Sequence, residues 1–174
     1  MSISLVLGGA RSGKSALAER LTLAAGAHPL YIATAEAWDD EMRARIAEHR
    51  ARRDGLGWET CEAPLQLAAA LTAEPERPVL VDCLTLWLTN HLLAEHDLDA
   101  ETDALLAALP VRRGPVVLVA NEVGLGIVPD NALARRFRDA AGRLNQRVAQ
   151  IADLVVLTAA GLPLVLKGTM PPLD

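Results

Sequence analysis

Aromatic residues are scarce in this chain: three Trp, one Tyr and one Phe make up 3% of its 174 residues. A core without aromatic bulk must be built from Leu, Val and Ala, and a hydrophobic fraction of 51% supplies them. Cysteine is nearly absent too. Cys61 and Cys83 are too few for a disulfide framework and form no CxxC pair, so buried thiols in a reducing cytoplasm are expected. Positive charge is not in excess: Lys and Arg number 17 against 22 Asp and Glu, a net charge of −5. That balance lacks the basic face of a general nucleic-acid binder, although a local basic patch stays open. No apolar run approaches the roughly 20 residues of a membrane span. Gly8 to Lys14 breaks the apolar start where a secretory leader needs continuity. The expectation is a soluble cytoplasmic enzyme with one domain over residues 1–168 and a disordered tail, "TMPPLD", over 169–174.

What the chain does have is "GGARSGKS": Gly8, Gly9, Ala10, Arg11, Ser12, Gly13, Lys14 and Ser15. Gly8, four residues, then Gly13-Lys14-Ser15 is the phosphate-loop spacing. Glycine is needed where the backbone turns tightly and approaches an anion without a Cβ. Successive N–H groups then line a concavity for the β-phosphate, and the helix that follows adds its N-terminal partial charge. Lys14 is expected to reach the β- and γ-phosphates, and the Ser15 hydroxyl to ligate Mg²⁺. A glycine-rich turn without a ligand is the plain alternative. The run Ile3 to Leu7 before the motif and the helical pattern after it favour phosphate.

Short apolar runs at 3–7, 30–34, 78–82, 115–121, 153–159 and 162–167 alternate with helical periodicity at 14–25, 38–53, 64–73, 84–94, 99–109 and 131–152. Continuous apolar runs suit strands covered on both faces. The pattern predicts an α/β fold of three layers, with a mostly parallel sheet and ligands at the carboxyl ends of its strands. The run at 162–167 follows its neighbour after "AGLP" and is expected as an antiparallel hairpin partner.

Asp82 closes the run "PVLVD", so it should project at that carboxyl edge. It has two readings, a magnesium-associated acid or a cap for the next helix. "NEVGLGIVPDN" (121–131) exceeds the usual length of such a connection. Asn121 and Glu122 there read equally as ligands or as part of a structural loop. In "DDEMRARIAEHRARR" (39–53), Met42, Ile46, His49 and Arg53 share one helical face. By spacing alone His49 reads as a half-buried structural histidine. Its other reading is a nucleophile for phosphorus, kept neutral by Arg45, Arg50, Arg52 and Arg53, which would also bind an anionic nucleotide. His28 falls by a turn, and His91 and His96 are expected on a helix surface.

Taken together, "GGARSGKS", "YIAT" (31–34), "DDEMRARIAEHR" (39–50), "NEVGLGIVP" (121–129) and "RFRDAAGRLNQRVA" (136–149) resemble the bifunctional adenosylcobinamide kinase/adenosylcobinamide-phosphate guanylyltransferase family. The resemblance runs from residue 3 to about 168, and its matched positions depart only at Asp82, where some members carry Glu. It implies a RecA-like phosphate-loop fold, a homotrimer, and two reactions late in cobalamin assembly. The aminopropanol hydroxyl of the corrinoid adenosylcobinamide is phosphorylated by ATP or GTP. GTP then guanylylates a histidine, and GMP passes to the new phosphate. The family histidine falls on His49, which reverses the preference from spacing. Nucleotide contacts carry over onto residues 8–15, Thr34, Ala35, Glu36, Arg50, Ala51, Arg52, Arg53, Glu62 and Asp82, with Ser15 and Asp82 at the metal. Lys14 is implied as catalytic with His49.

Two rival readings differ in class. A GTP-dependent switch protein would need an NKxD-type guanine reader, and "NEVG" is not one. The other is a phosphate-loop small-molecule kinase without nucleotidyl transfer, in which His49 is structural.

Overall fold

Strand parity builds this molecule. In the computed structural model, which describes residues 2–36, 47, 51, 53 and 55–173, β1 (Ile3–Gly8) is buried throughout. Its residues alternate between faces, as a pleated strand requires. Ile3, Leu5 and Leu7 join one apolar cluster and Val6 joins another. The same division recurs in β2 (Leu30–Ala33), β4 (Val79–Asp82), β5 (Val116–Asn121) and β6 (Leu154–Ala159), so each strand packs on both sides.

The sheet has seven strands in the order β3-β2-β4-β5-β1-β6-β7. β1 to β6 pair in parallel, and β7 (Leu162–Lys167) turns back antiparallel on β6, as the sequence predicts. On one face lie α2 (Leu67–Ala73), α3 (Leu84–Leu93), α4 (Leu98–Ala108) and α5 (Ala132–Ile151), which deliver Leu67, Leu71, Trp87, Leu88, Leu105 and Leu144 to the larger cluster. On the other, α1 (Lys14–Ala24) brings Leu17, Ala18 and Leu21. Met170 and Leu173, within the expected tail, lie partly buried against that second cluster.

Helix starts follow their caps. Asp97 accepts from the backbone N–H groups of Asp99 and Ala100 at α4, and Asn131 Oδ1 accepts from Ala134 N at 2.7 Å at α5. Of the helix expected over 38–53, the described residues are Ala47, Ala51 and Arg53, and all three are helical.

Two expectations change. β3 (Glu59–Glu62), "ETCE", has no counterpart in the sequence reading. It is a four-residue strand at the sheet's edge, largely exposed, so it carries no apolar run to betray it. His91 is not on the surface: it is 2% exposed, because the last turn of α3 packs under residues 64–66.

Candidate nucleotide site

Parallel pairing aligns the carboxyl ends of six strands, and register places the chemistry. Glu62 pairs with Ala33, Ala33 with Asp82, Gly8 with Asn121, and Gly8 with Thr158 on its other side. The phosphate loop, Thr34 to Glu36, Glu62, Asp82, Asn121 and Glu122 therefore share one edge.

The loop geometry explains its glycines. A Cβ on Gly8 would collide with Ser12 Oγ and lie 2.7 Å from Thr158 O. Gly13 has φ +94°, where side chains are strained, and a Cβ there would come 3.1 Å from Gly161 Cα in the β6–β7 turn. That turn braces the loop, since Gly161 N–H donates to Ser12 O at 2.9 Å. From the opposite side, Glu122 N–H donates to Gly8 O at 3.1 Å. Lys14 opens α1 and folds over the loop, donating from Nζ to Gly9 O at 3.1 Å.

Beyond the loop, Tyr31 OH donates to Asp82 Oδ2 at 2.9 Å. Burial first, and then the Asp82 carboxylate, raise the Tyr31 pKa well above its ordinary value, so the phenol stays protonated and keeps donating. The Asp82–Cys83 peptide is cis. Burial and then Asp82 push the Cys83 thiol up to about 11, while the Lys14 ammonium acts the other way.

Thr34 is fully buried, and its polar groups are engaged. Its hydroxyl donates to Cys83 O at 2.7 Å and accepts from Cys83 N at 2.8 Å. Its carbonyl accepts from Asn90 Nδ2 at 2.8 Å. Thr34 thus clamps the end of β2 to the turn after β4, and Ala35 and Glu36 continue from there half-buried. Asn90 was invisible in the sequence except as an amide inside an apolar helix. Glu62 is exposed at the end of β3, and Ala51 is exposed.

Arg53, expected at the nucleotide, is buried. It is 5% exposed, and its guanidinium carbon stands 3.3 Å above the Tyr31 ring centroid. Trp58 meets the same ring edge-on at 6.2 Å, and Glu19 of α1 lies 3.9 Å from Arg53 Nη1. Arg53 Nε and Nη1 make no hydrogen bond among the described residues. A buried cation with donors to spare suits an anionic or carbonyl-bearing ligand. His49, Arg50 and Arg52 lie outside the described residues.

The edge carries donors for magnesium. Ser15 and Asp82 offer hydroxyl and carboxylate oxygens, the hard donors that Mg²⁺ takes. Among the described residues, Asn121 Oδ1 is buried at the same edge with no hydrogen-bond partner, as are Ser12 Oγ and Thr158 Oγ1. These oxygens fit a site that receives a hydrated cation and phosphate.

Comparison with known proteins agrees with this geometry. Among solved structures, the crystal structure of the RadB recombinase matches with a TM-score of 0.51 at 20% identity, covering 90% of this chain and 73% of that one. That likeness establishes a RecA-type fold. The bifunctional adenosylcobalamin biosynthesis protein CobP of Pseudomonas aeruginosa is 56% identical over 168 residues, covering 94% of this chain and 96% of that protein. CobU of Salmonella typhimurium, with the same description, is 44% identical over 180 residues, covering 94% and 98%. A family model described as cobinamide kinase / cobinamide phosphate guanyltransferase matches residues 4–166. With that span and those identities, the chain belongs to the cobinamide kinase / cobinamide phosphate guanyltransferase family.

Proposed function

We propose that this enzyme phosphorylates the aminopropanol hydroxyl of adenosylcobinamide and then transfers GMP from GTP to that phosphate, giving adenosylcobinamide-GDP. The observation that carries the reading is the shared edge: Lys14 and the loop, Asp82, Glu62 and Arg53 converge there in a chain of this family.

In the kinase step the backbone N–H groups of residues 9–13 and the Lys14 ammonium hold the β- and γ-phosphates. They stabilise charge as the γ-phosphoryl group moves to the substrate hydroxyl, the nucleoside diphosphate leaves and the hydroxyl proton passes to solvent. Ser15 and Asp82 would hold Mg²⁺, which supplies charge neutralisation when bound. In the second reaction the unprotonated His49 nitrogen attacks the α-phosphorus of GTP, and pyrophosphate leaves. An oxygen of adenosylcobinamide phosphate then displaces the imidazole and forms the diphosphate. Arg53, with Arg50 and Arg52, balances the anionic nucleotide. Ala35, Glu36, Ala51 and Glu62 contact the nucleotide, as the family resemblance implies. Thr34 acts through its clamp on Cys83.

We place the enzyme in the cytoplasm as a homotrimer, with ATP or GTP feeding the first step. The unpaired Cys61 and Cys83 support a reducing compartment. The apolar Leu162, Leu164, Val165 and Leu166, exposed on the edge strand β7, support a subunit contact.

Incubation of the purified protein with adenosylcobinamide, GTP and Mg²⁺, read by mass spectrometry, tests the function. Adenosylcobinamide phosphate should appear first and adenosylcobinamide-GDP after it. Accumulation of the phosphate alone, with GTP in excess, would favour the kinase without nucleotidyl transfer.

A further inference from the structure

Behind the nucleotide edge lies a second group of ligand-type side chains that neither reaction uses. His91 lies in the last turn of α3, His96 follows the helix in the loop, and Glu101 sits in the first turn of α4. Glu95 has φ 57°, and His96 N–H donates to His91 O at 3.0 Å, so the chain doubles back and brings the two rings together. His91 Nδ1 and His96 Nδ1 stand 2.9 Å apart, and one ligand atom from each of the three residues lies within 4.8 Å of the others. We propose that His91, His96 and Glu101 form a binding site for a divalent cation of the zinc class, one that ties the α3–α4 junction together.

The His91 environment carries the argument. Its Nε2 lies 3.2 Å from Leu65 O, a carbonyl that can only accept, so the ring proton sits on Nε2. Nδ1 is then an unprotonated lone pair aimed at His96. A ligating histidine characteristically donates its other ring N–H to a backbone carbonyl in this way, which fixes tautomer and ring plane. The edge contact with Trp87, 4.7 Å between centroids, locks the ring further. Two imidazoles and a carboxylate are the three-ligand set that zinc accepts, with water as the fourth. In a tetrahedral shell with Zn–N near 2.0–2.1 Å, neighbouring ligand atoms are about 3.3 Å apart. The nitrogens need to open by about 0.4 Å from their 2.9 Å contact, and the Glu101 carboxylate, now 3.9 Å from His91 Nε2, must turn toward the Nδ1 side to complete the set. His96 and Glu101 are not deeply buried, which leaves an entry path.

The site would brace the nucleotide edge from behind. Leu65 follows Glu62 by three residues, and Asn90, beside His91, holds Thr34 O.

The test uses nucleotide-free full-length protein without a histidine tag, titrated with Co²⁺ and then with Zn²⁺. The expected result is one Co²⁺ per chain with the visible absorption of a low-coordinate site, displaced by Zn²⁺. Zn²⁺ alone should raise the melting temperature. His96→Ala, at an exposed position that the fold tolerates, should abolish both signals, and Glu101→Gln should weaken them. Lys14→Ala should leave both intact, which separates this site from the phosphate loop. Absence of the absorption, or equal Co²⁺ binding by folded His96→Ala, would mean that the two rings merely share a proton, and would overturn the proposal.

Discussion

Lys14 and Thr34 show how differently two residues of one site announce themselves. Lys14 is legible because its role is written in its immediate neighbours: the loop glycines fix the backbone, and the lysine follows the second of them. Its Nζ, now donating to Gly9 O, stands ready to transfer that contact to phosphate. Lys14→Ala should lower turnover in both reactions about a hundredfold or more, the usual loss when one preorganised cationic or N–H donor is removed. Steady-state kinetics at saturating nucleotide reads it, and full kinase turnover would dissociate this loop from the chemistry. Thr34 reads as the end of a strand and, by resemblance, as a nucleotide contact; its clamp does not show, since its partner Cys83 lies 49 residues away. Replacing it with valine keeps the shape but strands the Cys83 N–H in a buried place, while Cys83 O keeps the Trp87 N–H at 3.1 Å. A cost of about 1–3 kcal/mol is expected. It would appear as a lower urea midpoint with an unchanged slope, and a midpoint equal to wild type would refute the clamp. Arg53 was expected as one of several arginines near an anionic nucleotide; its stacking on Tyr31 required the fold to bring residues 31 and 53 together.

Among elements, the buried strands were legible and the edge was not. β1, β4 and β5 must cover both faces, so their sequences are largely apolar up to their carboxyl ends, with Ser4 the one polar residue inside them. β3 covers neither face fully, and "ETCE" resembles a loop. Its consequence is functional, because β3 places Glu62 in register with Ala33 beside Asp82. The union of β1 and α1 depends on Gly13. Gly13→Ala forces a side chain into the left-handed region, a cost of roughly 1–2 kcal/mol, and presses the new Cβ on Gly161 Cα at 3.1 Å. Reduced thermal stability together with weaker GTP binding is expected in calorimetry. A variant that matched wild type in both would show that the loop geometry is not what holds the phosphates.

For the molecule as a whole, one sheet carries two helical layers and presents its chemistry at a single edge. Glu19 near Arg53, and Tyr31 beneath it, hold the chain around residue 53 against α1 and β2. Four residues earlier in sequence is His49, the proposed nucleophile. The central claim is a covalent guanylyl-histidine at that residue. Histidine, with an ordinary pKa near about 6.5, is mostly neutral at about pH 7.5 and can attack without a strong base. The direct measurement is incubation of wild type and His49→Ala with GTP labelled at the α-phosphate, followed by denaturation. Wild type should retain label that survives alkali, leaves in mild acid and passes to added adenosylcobinamide phosphate. The folded His49→Ala protein should take up none while still phosphorylating adenosylcobinamide, and equal labelling of the two proteins would contradict the claim.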